Sequence, residues 1–225
     1  MSDGTDEATS ASVDTMGDES PLDHDDEIVL PWWQHPFNIV VIAVTAAVIA
    51  ALIGWMVGDS NSELAHGDVD TGFLHDMREH HEQAVYMSFV YRSLPEIDSG
   101  LNTVAGSIII GQSQEVGRMV QMLRMFGEPE ANESDTSMAW MGMPVDRGQM
   151  PGMATEEDLD RLATLSGREA DELFVQLMTD HHEGGIHMAE YAAGNAENDE
   201  VREMAAAMAG SQADEIAEIE QELAR

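Results

Sequence analysis

Apolar positions along this chain fall into three regimes. Met1–Glu27 is mostly Asp, Glu, Ser and Thr, and residues 1–30 are therefore expected to form a disordered acidic tail. Phe37–Val57 then runs 21 residues without a charge, enough to cross a bilayer as one helix. Trp32, Trp33 and Trp55 flank it where interfacial aromatic belts sit, and residues 31–58 read as a single membrane anchor. A cleaved signal peptide would begin basic and carry a shorter apolar run, and neither holds here. After a polar linker at 59–67, apolar residues recur at helical spacing to the C-terminus.

That last regime predicts four long helices. The first starts near Asp70 or Thr71, either of which can cap it, and stops near Ser93 ahead of Pro95. The second spans Ser99–Phe126 and ends at Gly127 and Pro129. The third runs from a capping box at Ser166 and Glu169 to about Ala193, with Gly194-Asn195 as its stop, and the fourth starts at Asp199. Between the pairs lies a segment rich in Met, Gly and Pro, followed by a short helix over Glu156–Leu165 capped by Thr155 with Asp158.

The two pairs resemble each other. Asp70, Phe73, Met77, His80, His81, Glu82 and Met87 recur as Asp171, Phe174, Met178, His181, His182, Glu183 and Met188, at a constant offset (181 − 80 = 101). In the following helices Gln112, Glu115, Val116, Met119 and Leu123 recur as Gln212, Glu215, Ile216, Ile219 and Leu223 (215 − 115 = 100). Each repeat is a helical hairpin that cannot bury its apolar faces alone. The expected fold is all-α, an antiparallel four-helix bundle at 68–225, built from hairpins at 68–128 and 167–225 joined by a loop at 129–166.

Charge narrows the partners. The chain has 44 acidic residues against 9 basic ones, all Arg, for a net charge of −35. This excludes nucleic acid as a natural partner and matches a surface kept soluble in concentrated salt, as in a halophile. With no Lys or Arg before Arg78, the positive-inside rule is silent on orientation. The absence of Cys leaves His nitrogen and Met sulfur as the soft-metal donors.

A repeated Phe or Met needs only core packing, but a repeated His-His-Glu points to metal. Met77, His80, His81, Ala84 and Met87 share one broad helical stripe, as do Met178, His181, His182, Gly185 and Met188. Adjacent His residues are about 100° apart, so one of each pair can meet its counterpart while the other looks to a groove or the Met-rich loop. The alternative is four core histidines satisfied by Glu115 and Glu215. Gly184-Gly185 admits a closely approaching helix, ligand or loop. His75 and His187 read as surface residues. Met119, Met122, Met204 and Met208 read as core, whereas Met138, Met141, Met143, Met150 and Met153 are either soft ligands or loop packing.

The pattern D-x-x-F-x-x-x-M-x-x-H-H-x-x-A/G-x-x-M, the lead-in M-P-G-M-A-T-x-x-D/E-L-x-x-L and Gln-x-x-Glu-Ile/Val resemble the domain of unknown function 305 family over about Asp68–Arg225. The resemblance implies a ferritin-like bundle, export or membrane anchoring, and, for some members, copper binding outside the cytoplasm. It places the acidic tail inside and the helical domain outside. Carried over by position, the motif residues are Met77, His80, His81 and Met87, then Met178, His181, His182 and Met188.

The leading expectation is a membrane-anchored protein that sequesters or delivers copper, as Cu(I) or Cu(II), through those residues, rather than an enzyme. Its partners would be the ion and the bilayer, with self-association or a metal-delivery partner left open. Since ligating His must be neutral, affinity is expected to fall below about pH 6. Two other classes stay open: a ferritin-like di-metal oxidase drawing on Glu82, Glu183, Glu115 and Glu215, and a membrane-tethered interaction module that binds no metal. The oxidase lacks its usual Glu-x-x-His, because Val85 and Ile186 occupy the His positions.

Overall fold

A computed structural model describes residues 31–62 and 65–225; the acidic tail at 1–30 lies outside the described residues. Six α-helices occur among the described residues: α1 (Pro36–Ser62), α2 (Asp68–Arg92), α3 (Ser99–Phe126), α4 (Glu156–Leu162), α5 (Gly167–Asn195) and α6 (Asp199–Leu223). The chain divides into two units at Leu52/Ile53, within α1.

The apolar run belongs to α1. Pro36–Met56 gives 21 residues long and apolar enough to cross a membrane, about 31 Å at helical rise. The helix continues through Ser62, so part of the expected linker is helical. No proline interrupts it, and Gly58 costs only about 1 kcal/mol, too little to stop a propagating helix.

In the second unit α2 packs against α3 and α5 against α6, while α2 also meets α5 and α3 meets α6. Helix α2 runs opposite to α5, since Tyr91 stacks on Phe174 while His80 meets His181. Helix α3 begins and ends where expected, capped by the Asp98 carboxylate and closed by Gly127 at φ +78°. Other ends differ. Gly67 is the N-cap of α2 and Asp70 its third residue, accepting the Gly67 N–H at 2.8 Å. Ser166 precedes α5 but its hydroxyl makes no cap bond, and α5 continues through Gly194, which terminates a helix only in the left-handed conformation it does not adopt here. Helix α4 stops at Leu162, earlier than its pattern predicts, although the Thr155–Asp158 capping box forms. The Met-rich loop carries a small antiparallel ladder pairing Thr136 with Asp146 and Ser137 with Val145.

Asp70 and Asp171 brace the opposite hairpin. Asp70 on α2 accepts from the N–H groups of Glu197 and Asn198 at 3.0 Å each, at the α5–α6 turn. Asp171 on α5 accepts from the Asp98 N–H at 3.1 Å, at the α2–α3 turn, and from the Tyr91 hydroxyl at 2.6 Å. Both carboxylates are buried.

Buried apolar side chains form two clusters. One gathers Phe73, Leu74 and Met77 with Met119, Met188, Met204 and Met208. The other gathers Met87, Tyr91 and Ile108 with Phe174, Met178 and Ile219. On each long helix a polar step separates the two: His80-His81 on α2, Gln112 on α3, His181-His182 on α5 and Gln212 on α6.

Candidate metal centre

The polar layer is built from positions the sequence repeats. All four histidines are at most 1% exposed, although imidazole is rarely shut away without partners. His80 and His181 meet across the α2–α5 contact with ring centroids 3.7 Å apart and planes inclined at 34°. None of their four ring nitrogens makes a hydrogen bond of good geometry, although the Pro151 carbonyl acts on His80 and the His80 backbone on His181. An unmatched buried polar atom costs roughly 1–3 kcal/mol, so this layer is expensive unless something completes it.

The outer histidines are held differently. His81 Nε2 lies 2.8 Å from Glu115 Oε2, and His182 Nε2 lies 2.6 Å from Glu215 Oε2. The sequence left a choice between core histidines satisfied by these glutamates and metal ligands. The structure divides the pairs: the second His of each motif takes the glutamate, and the first faces its counterpart. His81 and His182 still keep a buried Nδ1 without a partner. An imidazole with one nitrogen on a carboxylate and the other free has the set-up of an oriented metal ligand.

Protonation fits the same picture. Burial pushes His80 down to about 3, helped by the fields of His81 and His182 and opposed by the Pro151 carbonyl. Burial likewise holds His181 well below the ordinary imidazole range, with His80, His182 and His81 adding to it. Both rings are neutral at pH 7, the form that coordinates a metal. Among the described residues, no group of three or more His, Asp or Glu side chains is arranged to hold an ion.

Met77, Met87, Met178 and Met188 are fully buried on the same two helices, split between the two clusters. Of the loop methionines, Met138, Met141 and Met150 are buried in the first cluster, whereas Met143 is 44% exposed. Met119, Met122, Met204 and Met208 are core as expected. His75 is not a surface residue: at 9% exposure its Nε2 sits 2.7 Å from the Pro129 carbonyl, because the chain leaving α3 folds back over α2. His187 is exposed, as are Glu82 and Glu183. An oxidase site using those last two carboxylates is therefore not assembled.

Sequence reasoning did not place Gln112 and Gln212 in the layer. Gln112 Nε2 lies 3.5 Å from His182 Nε2, and a Cβ on Gly185 would strike the Gln212 carboxamide. Gln112 Oε1 and both polar atoms of the Gln212 side chain are buried and unpartnered. The signal was available: both glutamines recur in register, and buried amides at matched positions are costly without a purpose.

The sequence pattern of the domain of unknown function DUF305 matches residues 70–223. The chain belongs to the DUF305 family. Solved DUF305 structures are similar in fold. One from Streptomyces coelicolor is 37% identical with a TM-score of 0.62, covering 67% of this chain and 89% of its own. A DUF305 fragment from Deinococcus radiodurans, 24% identical with a TM-score of 0.61, covers 72% of this chain and 99% of its own. CopM in its Cu(II)-bound form is 27% identical with a TM-score of 0.54, covering 68% and 93% respectively. No curated protein matches the chain.

Proposed function

We propose that this DUF305 chain is a membrane-anchored copper-binding protein that sequesters or delivers the ion outside the cytoplasm. The observation that carries the reading is the set of buried imidazole nitrogens without a well-formed hydrogen bond: both on His80, both on His181, and Nδ1 on His81 and His182. Copper, as Cu(I) or Cu(II), is cargo. Neutral imidazole suits either oxidation state, and thioether sulfur from Met77, Met87, Met178 and Met188 suits Cu(I). Glu115 and Glu215 orient the outer imidazoles rather than ligating. The chain's likeness to Cu(II)-bound CopM supports the choice of metal.

The architecture in this reading is a ferritin-like, antiparallel four-helix bundle at 68–225 made of duplicated hairpins at 68–128 and 167–225. Residues 31–58 anchor it and 1–30 form a tail on the inner side. Support for the anchor comes from Pro36–Met56, and support for the outward domain from the Streptomyces relative, which bears the provisional designation of a secreted protein. The acidic surface is an adaptation to high salt.

A tethered module with purely structural histidines draws on the His81–Glu115 and His182–Glu215 pairs, but it leaves the central rings unexplained. A Cu(I) titration against a competing chelator, in high salt, separates the two. Near-integral tight binding that disappears when His80 and His181 are both changed to Ala is expected. Weak binding of equal strength by both proteins would mean that the acidic surface merely collects cations.

A further inference from the structure

The segment Met150–Ala154 crosses the protein beside the central rings, one helical turn past each. On α5 the crossing point is Gly184, three residues after His181, where a Cβ would run into the Pro151 carbonyl. Gly152, at φ +80°, lies so close over α5 that a Cβ there would meet the Asp180 carbonyl and, at 2.9 Å, the His181 Cα. On α2 the matched position (184 − 83 = 101) is Gln83, three residues after His80. Its carboxamide pairs with Ala154 in both directions: Nε2 donates to the Ala154 carbonyl at 3.0 Å, and Oε1 accepts the Ala154 N–H at 2.8 Å. Equivalent repeat positions thus carry different residues because one segment crosses both, lying on glycine at one and tied at the other.

The segment is not part of a helix. Its turn is closed by the Met153 N–H on the Met150 carbonyl at 3.1 Å, so it can lift without unwinding α2 or α5. It carries Met150, 2% exposed, into the apolar cluster that holds Met77 and Met188.

We infer that Met150–Ala154 is a strap covering the His80–His181 pair, and that Gln83 is the positioning residue whose carboxamide latches it and sets how fast a soft metal ion enters and leaves. The inference rests on His80 and His181 being ligands. The side chain of Gln83 touches the strap through Ala154. Losing it frees the cover without removing a proposed ligand.

The test uses the full chain with Gln83→Ala and Gln83→Glu, and reads three quantities. In the metal-free protein these are hydrogen exchange at the Ala154 amide and peroxide oxidation of Met150; in the loaded protein it is the rate of Cu(I) transfer to a chelator. In Gln83→Ala all three should rise about tenfold, the order expected for removing two neutral hydrogen bonds. The equilibrium Kd should stay within about a factor of three, since a cover that speeds entry and exit alike cancels in the ratio. Gln83→Glu should also raise all three, because its carboxylate still accepts the Ala154 N–H but sets its second oxygen against the Ala154 carbonyl that Nε2 had bonded. Unchanged exchange, oxidation and transfer in Gln83→Ala, with tight wild-type binding intact, would overturn the strap and leave the copper reading standing. A wild-type protein that takes up no Cu(I) overturns both.

Discussion

His80 and His181 lie ring against ring, 3.7 Å between centroids, and neither imidazole makes a hydrogen bond of good geometry. They occupy the same position in the two copies of the motif. Two neutral rings can stand this close in a dry core, whereas two imidazolium rings would repel strongly.

Stability should therefore depend on acid in a defined direction. The folded state refuses the proton at His80 until about pH 3, while the unfolded chain accepts it from about 6.5. The unfolded state binds more protons between these values, so stability is complete above 6.5 and drains as pH falls towards 3. At pH 5 the loss from His80 alone is about 2 kcal/mol. Urea denaturation of wild type and His80→Leu at pH 7.5 and 5 should show the difference moving by that amount in favour of the variant. A difference independent of pH would mean that the ring is not buried neutral.

Copper affinity should be nearly flat between pH 7 and 5 where His80 and His181 carry it. The expectation of a decline below about pH 6 took the ordinary imidazole pKa. Burial removes proton competition at the central rings over that interval. Chelator competition at the two pH values checks this, and a drop of about 25-fold per His would restore the simpler expectation.

Asp70→Ala should destabilise the protein by about 2–4 kcal/mol, because it strands backbone N–H groups at Gly67, Glu197 and Asn198. Chemical denaturation measures it. A change below about 0.5 kcal/mol would show that water replaces the carboxylate freely.

Gly184→Ala and Gly185→Ala should differ although both sit in α5 and each gains about 1 kcal/mol of helix propensity. The new methyl at 184 meets the Pro151 backbone, which cannot step aside without moving the strap. At 185 it meets the end of the Gln212 side chain, which can rotate. Gly184→Ala should be the less stable by about 1–3 kcal/mol in thermal or urea unfolding. Equal stabilities would mean that the strap yields easily.

The full chain should sediment with membranes, and removal of residues 1–58 should release it. Release of the intact chain by high salt alone would point to surface adsorption instead of a spanning α1.

Much of this protein is legible along the chain because its determinants are local. Helical spacing marks α2, α3, α5 and α6, and an uncharged run marks α1, since burying or exposing every third or fourth residue is a property of one helix. Register at an offset of 101 singled out His80, His81, His181 and His182 without any coordinates. Cap positions were less secure: Asp70 looked like a cap but serves inside the first turn, because its carboxylate is engaged by the distant Glu197–Asn198 turn.

Tertiary packing decided what each histidine does. Periodicity places adjacent residues about 100° apart on a helix, but only the crossing of α2 over α5 decides that His80 faces His181 while His81 and His182 turn to Glu115 and Glu215. It also decided that Gln112 and Gln212 belong to the same layer, that His75 is buried, and that the loop at 150–154 lies on Gly184 and is tied by Gln83. Those contacts join residues more than 25 positions apart. Their pairing depends on helix crossings and on which segment fills the space between them, and no local pattern encodes either.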